Sequence, residues 1–278
     1  ADIDECLIEN GGCAAREICR NQVGGFTCIL PQIYVCACGE GAMAACADGH
    51  FAGEGYGPEA PLEGFEGLSD HEYFTLPNLE ILVCRGGAVT GDLHLPSKSD
   101  GSAVAYAVRG YDPPWGADEA VRPILSGRID VGSDGVATPT TGVHLEGLIV
   151  QGAGGGTGIA VRNDTRGVVL SELLISGWEI GVHLQGVDVV DVCPEAMLDC
   201  DTGPSAVSVE DCEISDNGRY GLTGEASALS VVGNVFSRNG GASQAEHHLF
   251  LSCYAGGVAL GPNAVCRDLV VASNRFSG

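Results

Sequence analysis

Val143-His144-Leu145-Glu146-Gly147-Leu148-Ile149-Val150-Gln151-Gly152 recurs 25 residues later as Val168-Val169-Leu170-Ser171-Glu172-Leu173-Leu174-Ile175-Ser176-Gly177. Further copies begin at Val207, Leu229 and Leu269, so the steps are 25, 39, 22 and 40 residues. A second short strand follows most copies, as Gly158-Ile159-Ala160-Val161, Gly181-Val182-His183-Leu184 and Gly221-Leu222. Two short apolar strands and a glycine turn in 22 to 25 residues are the mark of a solenoid. One coil cannot bury its inner face alone, so neighbours must stack. The longer steps fit a coil with an insertion, or nearly two coils. Ile175, Ile214, Phe236 and Phe276 then stack inside with Val150 above them. Asn234 and Asn274 recur at one place, where amides bond from coil to coil, which makes them structural. A sandwich would alternate apolar and polar residues, and these near-continuous apolar strands do not.

Over roughly residues 79–278 this pattern resembles the right-handed parallel β-helix proteins of the pectate-lyase-like superfamily. The lead-in segments Gly91 to Pro96, Ala105 to Gly110 and Arg122 to Gly127 are similar to first coils of such a domain. The resemblance implies an acidic polysaccharide as partner, with lyase or hydrolase chemistry. A lyase of this kind uses calcium held by acidic residues and a Lys or Arg as base. The hydrolase branch uses an Asn-Thr-Asp block, an Asp pair and a Gly-His-Gly block, none of which occurs here. Asn163-Asp164-Thr165 has the wrong order for the first, and reads instead as a glycosylation acceptor in a eukaryotic secretory route.

The formal charge of -24, from 37 acidic and 13 basic residues, argues against a nucleic-acid partner and against anionic lipid. No apolar run approaches the ~18 residues of a membrane span. Thirteen cysteines point to an oxidising, extracellular or cell-surface setting. Ala1-Asp2 without an apolar leader suggests a cleaved signal or a fragment, and an ending inside the repeat suggests truncation at the C-terminal end.

Seven cysteines, at 6, 13, 19, 28, 36, 38 and 46, crowd the first fifty residues. Small cysteine-dense modules need such staples because their cores are too small. Asp2-Ile3-Asp4-Glu5-Cys6, Cys13, Cys19-Arg20-Asn21 and Gly24-Gly25-Phe26-Thr27-Cys28 resemble a calcium-binding epidermal-growth-factor-like (EGF-like) module. That resemblance implies side-chain oxygens from Asp2, Glu5 and Asn21 on calcium, with backbone carbonyls near Ile3, Gln22 and Gly25. It also implies the disulfides Cys6–Cys19 and Cys13–Cys28. Position 30 is Leu where the family has a cysteine, so the last pairing, Cys38–Cys46, stays open. Residues 51–78, acidic and rich in Gly and Pro, read as a linker or cap between the module (1–50) and the solenoid (79–278). Asp70-His71-Glu72 within it reads as a solvated face rather than a metal site.

Arg162, Arg166, Arg219 and Arg238 lie at strand ends, where they line a groove or relieve an acidic surface. Of His247 and His248, alternation allows one to face a given side, and His248 is a candidate sugar contact. His144 and His183 follow Val in strands and face outward or pack on a turn. Cys193–Cys200 and Cys253–Cys266 close local loops, leaving Cys36, Cys84 and Cys212 without assigned partners. Tyr111, Trp115 and Trp178 are candidate glycan contacts through their apolar ring faces, and Tyr220 a weaker one. Gly152 to Gly156 precede no helix and read as a turn.

These readings predict an all-β chain: a right-handed parallel β-helix behind an EGF-like calcium module. The expected role is structural, adhesive or glycan-binding, with a polysaccharide or extracellular protein as partner and homo-assembly through solenoid ends as a further expectation. A calcium-dependent lyase acting on a uronate polysaccharide is the rival. What separates them is whether acidic residues and an Arg, Lys or His converge in one groove.

Overall fold

The computed structural model describes residues 6, 12–13, 17–29, 31–37, 55, 58, 61–76, 78–86, 88–96, 106–113, 121–132, 140–162, 165–185, 204–241, 247–251 and 268–278. Three parallel sheets share the chain. The first holds Gln32–Val35, Leu79–Cys84, Tyr106–Tyr111, Thr140–Glu146, Thr165–Ser171, Ser205–Glu210, Ser227–Val232 and Val270–Ala272. The second holds Ala88–Thr90, Ile124–Ser126, Ile149–Gln151, Leu174–Ser176, Glu213–Ser215, Val235–Ser237 and Arg275–Ser277. In the third are Leu93–Leu95, Ile129–Val131, Thr157–Val161, Ile180–Leu184, Tyr220–Gly224 and His247–Leu251. The chain visits the sheets in turn, and each strand pairs with its counterpart one coil away. That is a right-handed parallel β-helix.

Strand register follows the repeat. Val143 faces Val168, Leu170 faces Val209, Val207 faces Leu229 and Ser230 faces Val270. The 39- and 40-residue steps are therefore single coils with insertions. Each coil has three strands where the sequence suggested two, because the ten-residue motif bends in its middle. Gly147, Glu172, Asp211, Gly233 and Ser273 all take left-handed φ values, between 52° and 74°, at this corner. At Gly233 a Cβ would lie 2.2 Å from Asp211 Oδ1, so a side chain there would require that carboxylate to shift.

Inside, Val150, Ile175, Ile214 and Phe236 are 0% exposed and stack in register. Each such burial contributes roughly 1.5–3 kcal/mol. Phe276 continues the stack, its ring 5.2 Å from that of Phe236 and tilted by 11°. Beyond the bend runs the asparagine ladder. Asn234 N and Nδ2 donate to Asn274 Oδ1 (2.9 and 3.0 Å), while Cys212 N donates to Asn234 Oδ1 (2.9 Å). The same amides donate to carbonyls of the preceding coil, Asn234 to Val209 O and Asn274 to Val231 O. Cys212 takes the ladder position one coil earlier, and its thiol lies 3.4 Å from Leu170 O. Burial pushes that thiol up to about 11, so Cys212, which forms no disulfide, stays protonated.

A second ladder, not visible in the repeat, occupies the next corner. Asn217 N and Nδ2 donate to Asn239 Oδ1 (3.1 and 2.8 Å), and Trp178 N donates to Asn217 Oδ1 (3.1 Å).

In the N-terminal region Ile18–Gln22 and Gly25–Ile29 form an antiparallel hairpin with Cys19 opposite Cys28. Disulfides join Cys6 to Cys19 and Cys13 to Cys28. A third, Cys36–Cys84, ties the end of Gln32–Val35 to the end of its sheet partner Leu79–Cys84. This changes the expected division of the chain. Ile33 and Val35, inside the span given to the module, are 0% exposed within the solenoid's first sheet. Residues 61–76, read from composition as linker or cap, contribute Phe65, Leu68, Tyr73 and Phe74 to the same core. Their acidic neighbours masked that apolar spacing. Among the described residues no helix is long and apolar enough to cross a membrane.

Candidate binding face on the third sheet

Leu93, Leu95, Ile129, Val131, Ile159, Val161, Val182 and Leu184 point into the core at 0–1% exposure. Strand alternation then turns the intervening residues outward. In register these are His94, Asp130, Ala160, His183, Thr223 and Phe250, one from each successive coil. Charge gathers at one end of this column.

Asp130 is the centre of the charged group. Its side chain is 6% exposed, with Arg128 Nη2 at 2.7 Å and Arg162 Nη2 at 3.4 Å from its two oxygens. A carboxylate buried this far needs such partners, because an unpaired buried charge is strongly unfavourable. Asp92 Oδ1 accepts the backbone N–H of Arg128 at 2.8 Å, and its other oxygen lies 4.0 Å from Arg128 Nε. Arg128 keeps a 44% exposed side chain, so part of its five-donor fork faces solvent. Burial lowers the His183 pKa, and the positive charge of Arg162 lowers it further. His183 is therefore neutral at neutral pH, with a ring nitrogen able to accept a proton. Two guanidinium groups paired with a buried carboxylate, and two imidazoles, thus line one outer face over four successive coils.

Of the four arginines picked out by position, only Arg162 reaches this cluster. Arg219 pairs with Glu179 at 3.1 Å and Arg238 with Asp216 at 2.6 Å, both as surface ion pairs, and Arg166 is exposed on the first sheet. His248 is half-buried, with Nδ1 3.4 Å from Asn239 Nδ2 and its ring 6.1 Å from Phe276. It closes the second asparagine ladder, and its neighbour His247 is the exposed member of the pair. Trp178 is corrected as a sugar contact. It is 9% exposed, donates Nε1–H to Val150 O at 3.2 Å, and fills space that a Cβ at Gly152 would invade at 2.5 Å. Tyr111 is half-buried and meets Tyr34 edge-on at 5.1 Å. His71 Nδ1 accepts Tyr73 N–H at 3.1 Å, which makes it a helix cap in place of a solvated residue. His144 lies 2.9 Å from Ser171 Oγ on the first sheet.

Trp115, Lys98, Asn163, Asp164 and the cysteines at 38, 46, 193, 200, 253 and 266 lie outside the described residues, as do Asp2, Ile3 and Glu5. Asn21 is exposed beside the hairpin turn, and Gln22 pairs with Gly25 across it. Their carbonyl and amide oxygens are the hard donors calcium takes. Cys13, Glu17 and Cys28 also cluster, but those two sulfurs are bonded to each other and offer no thiolate.

Asp130 is the candidate site residue the repeat did not reveal. The signal for it was short: Arg128-Ile129-Asp130-Val131 alternates charge with apolar residues, the pattern of a strand whose outer face is ionic.

No protein-family model matches this chain, and no curated protein matches it. Among solved structures it is similar to an alginate lyase from Paenibacillus sp. str. FPU-7, with 14% identity and a TM-score of 0.37 over 73% of this chain and 68% of that one. It is also similar to pectate lyase Pel9A, with 12% identity and a TM-score of 0.39 over 88% of this chain. The chain spans 62% of that enzyme.

Proposed function

We propose that this chain is an extracellular β-solenoid that binds an acidic polysaccharide along the outer face of its third sheet. The observation that carries the reading is the Arg128–Asp130–Arg162 group flanked in register by His94 and His183. With Asp92 beside Arg128 its formal charges cancel, so it would select a ligand by directed hydrogen bonds rather than net charge. An outward guanidinium edge matches a sugar carboxylate, and imidazoles on either side match hydroxyls. Three disulfides in the N-terminal region favour secretion or display on a cell surface. Calcium at the N-terminal hairpin, through Asn21 and the carbonyls near Gln22 and Gly25 with Asp2, Ile3 and Glu5, would stiffen the module. A calcium-induced rise in melting temperature that disappears in Asn21→Ala tests that part.

A second reading has one observation in its favour. His183, neutral beside the Arg162 guanidinium, is the pairing that β-elimination requires: a base for the proton next to the uronate carboxylate, and a cation to neutralise that carboxylate. Affinity electrophoresis in polyuronate gels, run beside ultraviolet detection of unsaturated product, decides. Retardation without product supports binding alone. Product that disappears in His183→Gln assigns cleavage, and neither signal removes both readings.

A further inference from the structure

The outer face of the third sheet changes character toward the later coils. Phe250, 45% exposed, ends the column that begins at His94. Its ring lies 5.8 Å from Tyr220 and 6.0 Å from His247, tilted by 31° and 23° respectively. Arg219 sits 5.3 Å above the Tyr220 ring while holding Glu179. We propose that Tyr220, His247 and Phe250 form a stacking platform for a distal pyranose ring of the same acidic glycan, with Arg219 at its edge.

The inference rests on the glycan-binding reading and extends it. Three neighbouring rings, with His247 and Phe250 exposed and Tyr220 half-buried, leave apolar area in water, and such patches mark places that another molecule covers. A pyranose ring presents a flat C–H face, which stacks on aromatic rings, and Arg219 beside it suits a ring bearing a carboxylate. Spacing supports a shared ligand. Asp130 and Phe250 are four coil steps apart through Ala160, His183 and Thr223, or about 19 Å at the usual strand spacing. One sugar unit advances about as far as one coil, so a chain of roughly four units would reach from the ionic group to the platform. Between them Ala160 and Thr223 are small and buried, and His183 is the one larger group along the path.

The test titrates unbranched uronate oligosaccharides of two to six units into wild type, Phe250→Ala, Phe250→Trp and Arg128→Ala. Phe250 is solvent-facing, so its variants should fold, and circular dichroism checks that they do. In wild type, affinity is expected to rise with length until the platform is reached. Phe250→Ala should then lose roughly tenfold for the hexamer and nothing for the dimer, with Phe250→Trp retaining the gain. Arg128→Ala should weaken every length. If Phe250→Ala matches wild type at all lengths while Arg128→Ala is impaired, the platform is overturned and the ionic site stands. Absence of wild-type binding at any length overturns both. Sedimentation in which Phe250→Ala breaks a dimer without changing glycan affinity assigns the patch to a second copy of the chain and overturns the proposal.

Discussion

The corner ladder through Cys212, Asn234 and Asn274 and the outer-face group around Asp130 both bury polar atoms in this one solenoid, by opposite means. In the ladder each acceptor and donor is satisfied by backbone or amide atoms of adjacent coils. Its partners cannot move without the coil moving. Asp130 is satisfied by two arginine side chains, one of them 44% exposed and long enough to swing away. A closed network holds coils in register, whereas an open one can exchange a partner for a ligand. On that contrast the asparagines hold the coils, and the ionic face is the one proposed to recognise a ligand.

Breaking the closed network should have the largest effect on stability. Asn234→Ala takes the acceptor from Cys212 N–H and the side-chain donor from Val209 O, and removes one of the two donors to Asn274 Oδ1, the backbone N–H of residue 234 remaining. Denaturant unfolding is expected to show a loss of about 2–4 kcal/mol, with glycan affinity of the folded fraction unchanged. Opening the disulfide that locks the first coil comes next. Cys36→Ser with Cys84→Ser frees a bridge spanning 48 residues and should cost about 2–4 kcal/mol, measured the same way.

The open network should respond in the reverse sense. Arg128→Ala is expected to lower affinity for uronate oligosaccharides at least tenfold while moving the melting temperature little, because its partner Asp130 keeps Arg162. His183 sharpens the contrast through pH. Its folded pKa lies below the ordinary value of 6.5, so the unfolded chain takes up a proton first as pH falls. Its contribution to stability is full above about pH 6.5 and is lost as pH drops through the window below it. A His183→Gln variant should therefore show a shallower decline of stability in acid, followed by melting curves across that range. Smallest of all, Asp216→Asn at the exposed pair with Arg238 should leave both stability and binding unchanged.

Much of this was legible from the repeat alone. Apolar side chains stacked every coil make the strands of Val143 to Gly152 and its copies recognisable, and Asn234 and Asn274 kept one spacing because a ladder demands it. Asn217 and Asn239 were missed because they fall one residue past the ten-residue motif, whose copies end at Asp216 and Arg238. The corner at residue 147 stayed hidden because a left-handed residue can be Gly, Glu, Asp or Ser there, which leaves no single letter to find. Asp130 was hidden for a different reason. Its meaning depends on Arg162, which pairs with it one coil later, and on His183, two coils later on the same column, and no local pattern encodes that. Trp178 misled because a surface-facing strand end and a buried glycine-lined slot read alike until Gly152 is seen beneath it.

The decisive measurement is calorimetric titration of a uronate hexasaccharide into wild type and Arg128→Ala, with Arg238→Ala as the surface control. Saturable binding by wild type and by Arg238→Ala is expected, with at least a tenfold loss in Arg128→Ala. Equal affinity in all three proteins, or no heat in any, would rule out the Asp130 face as a glycan site.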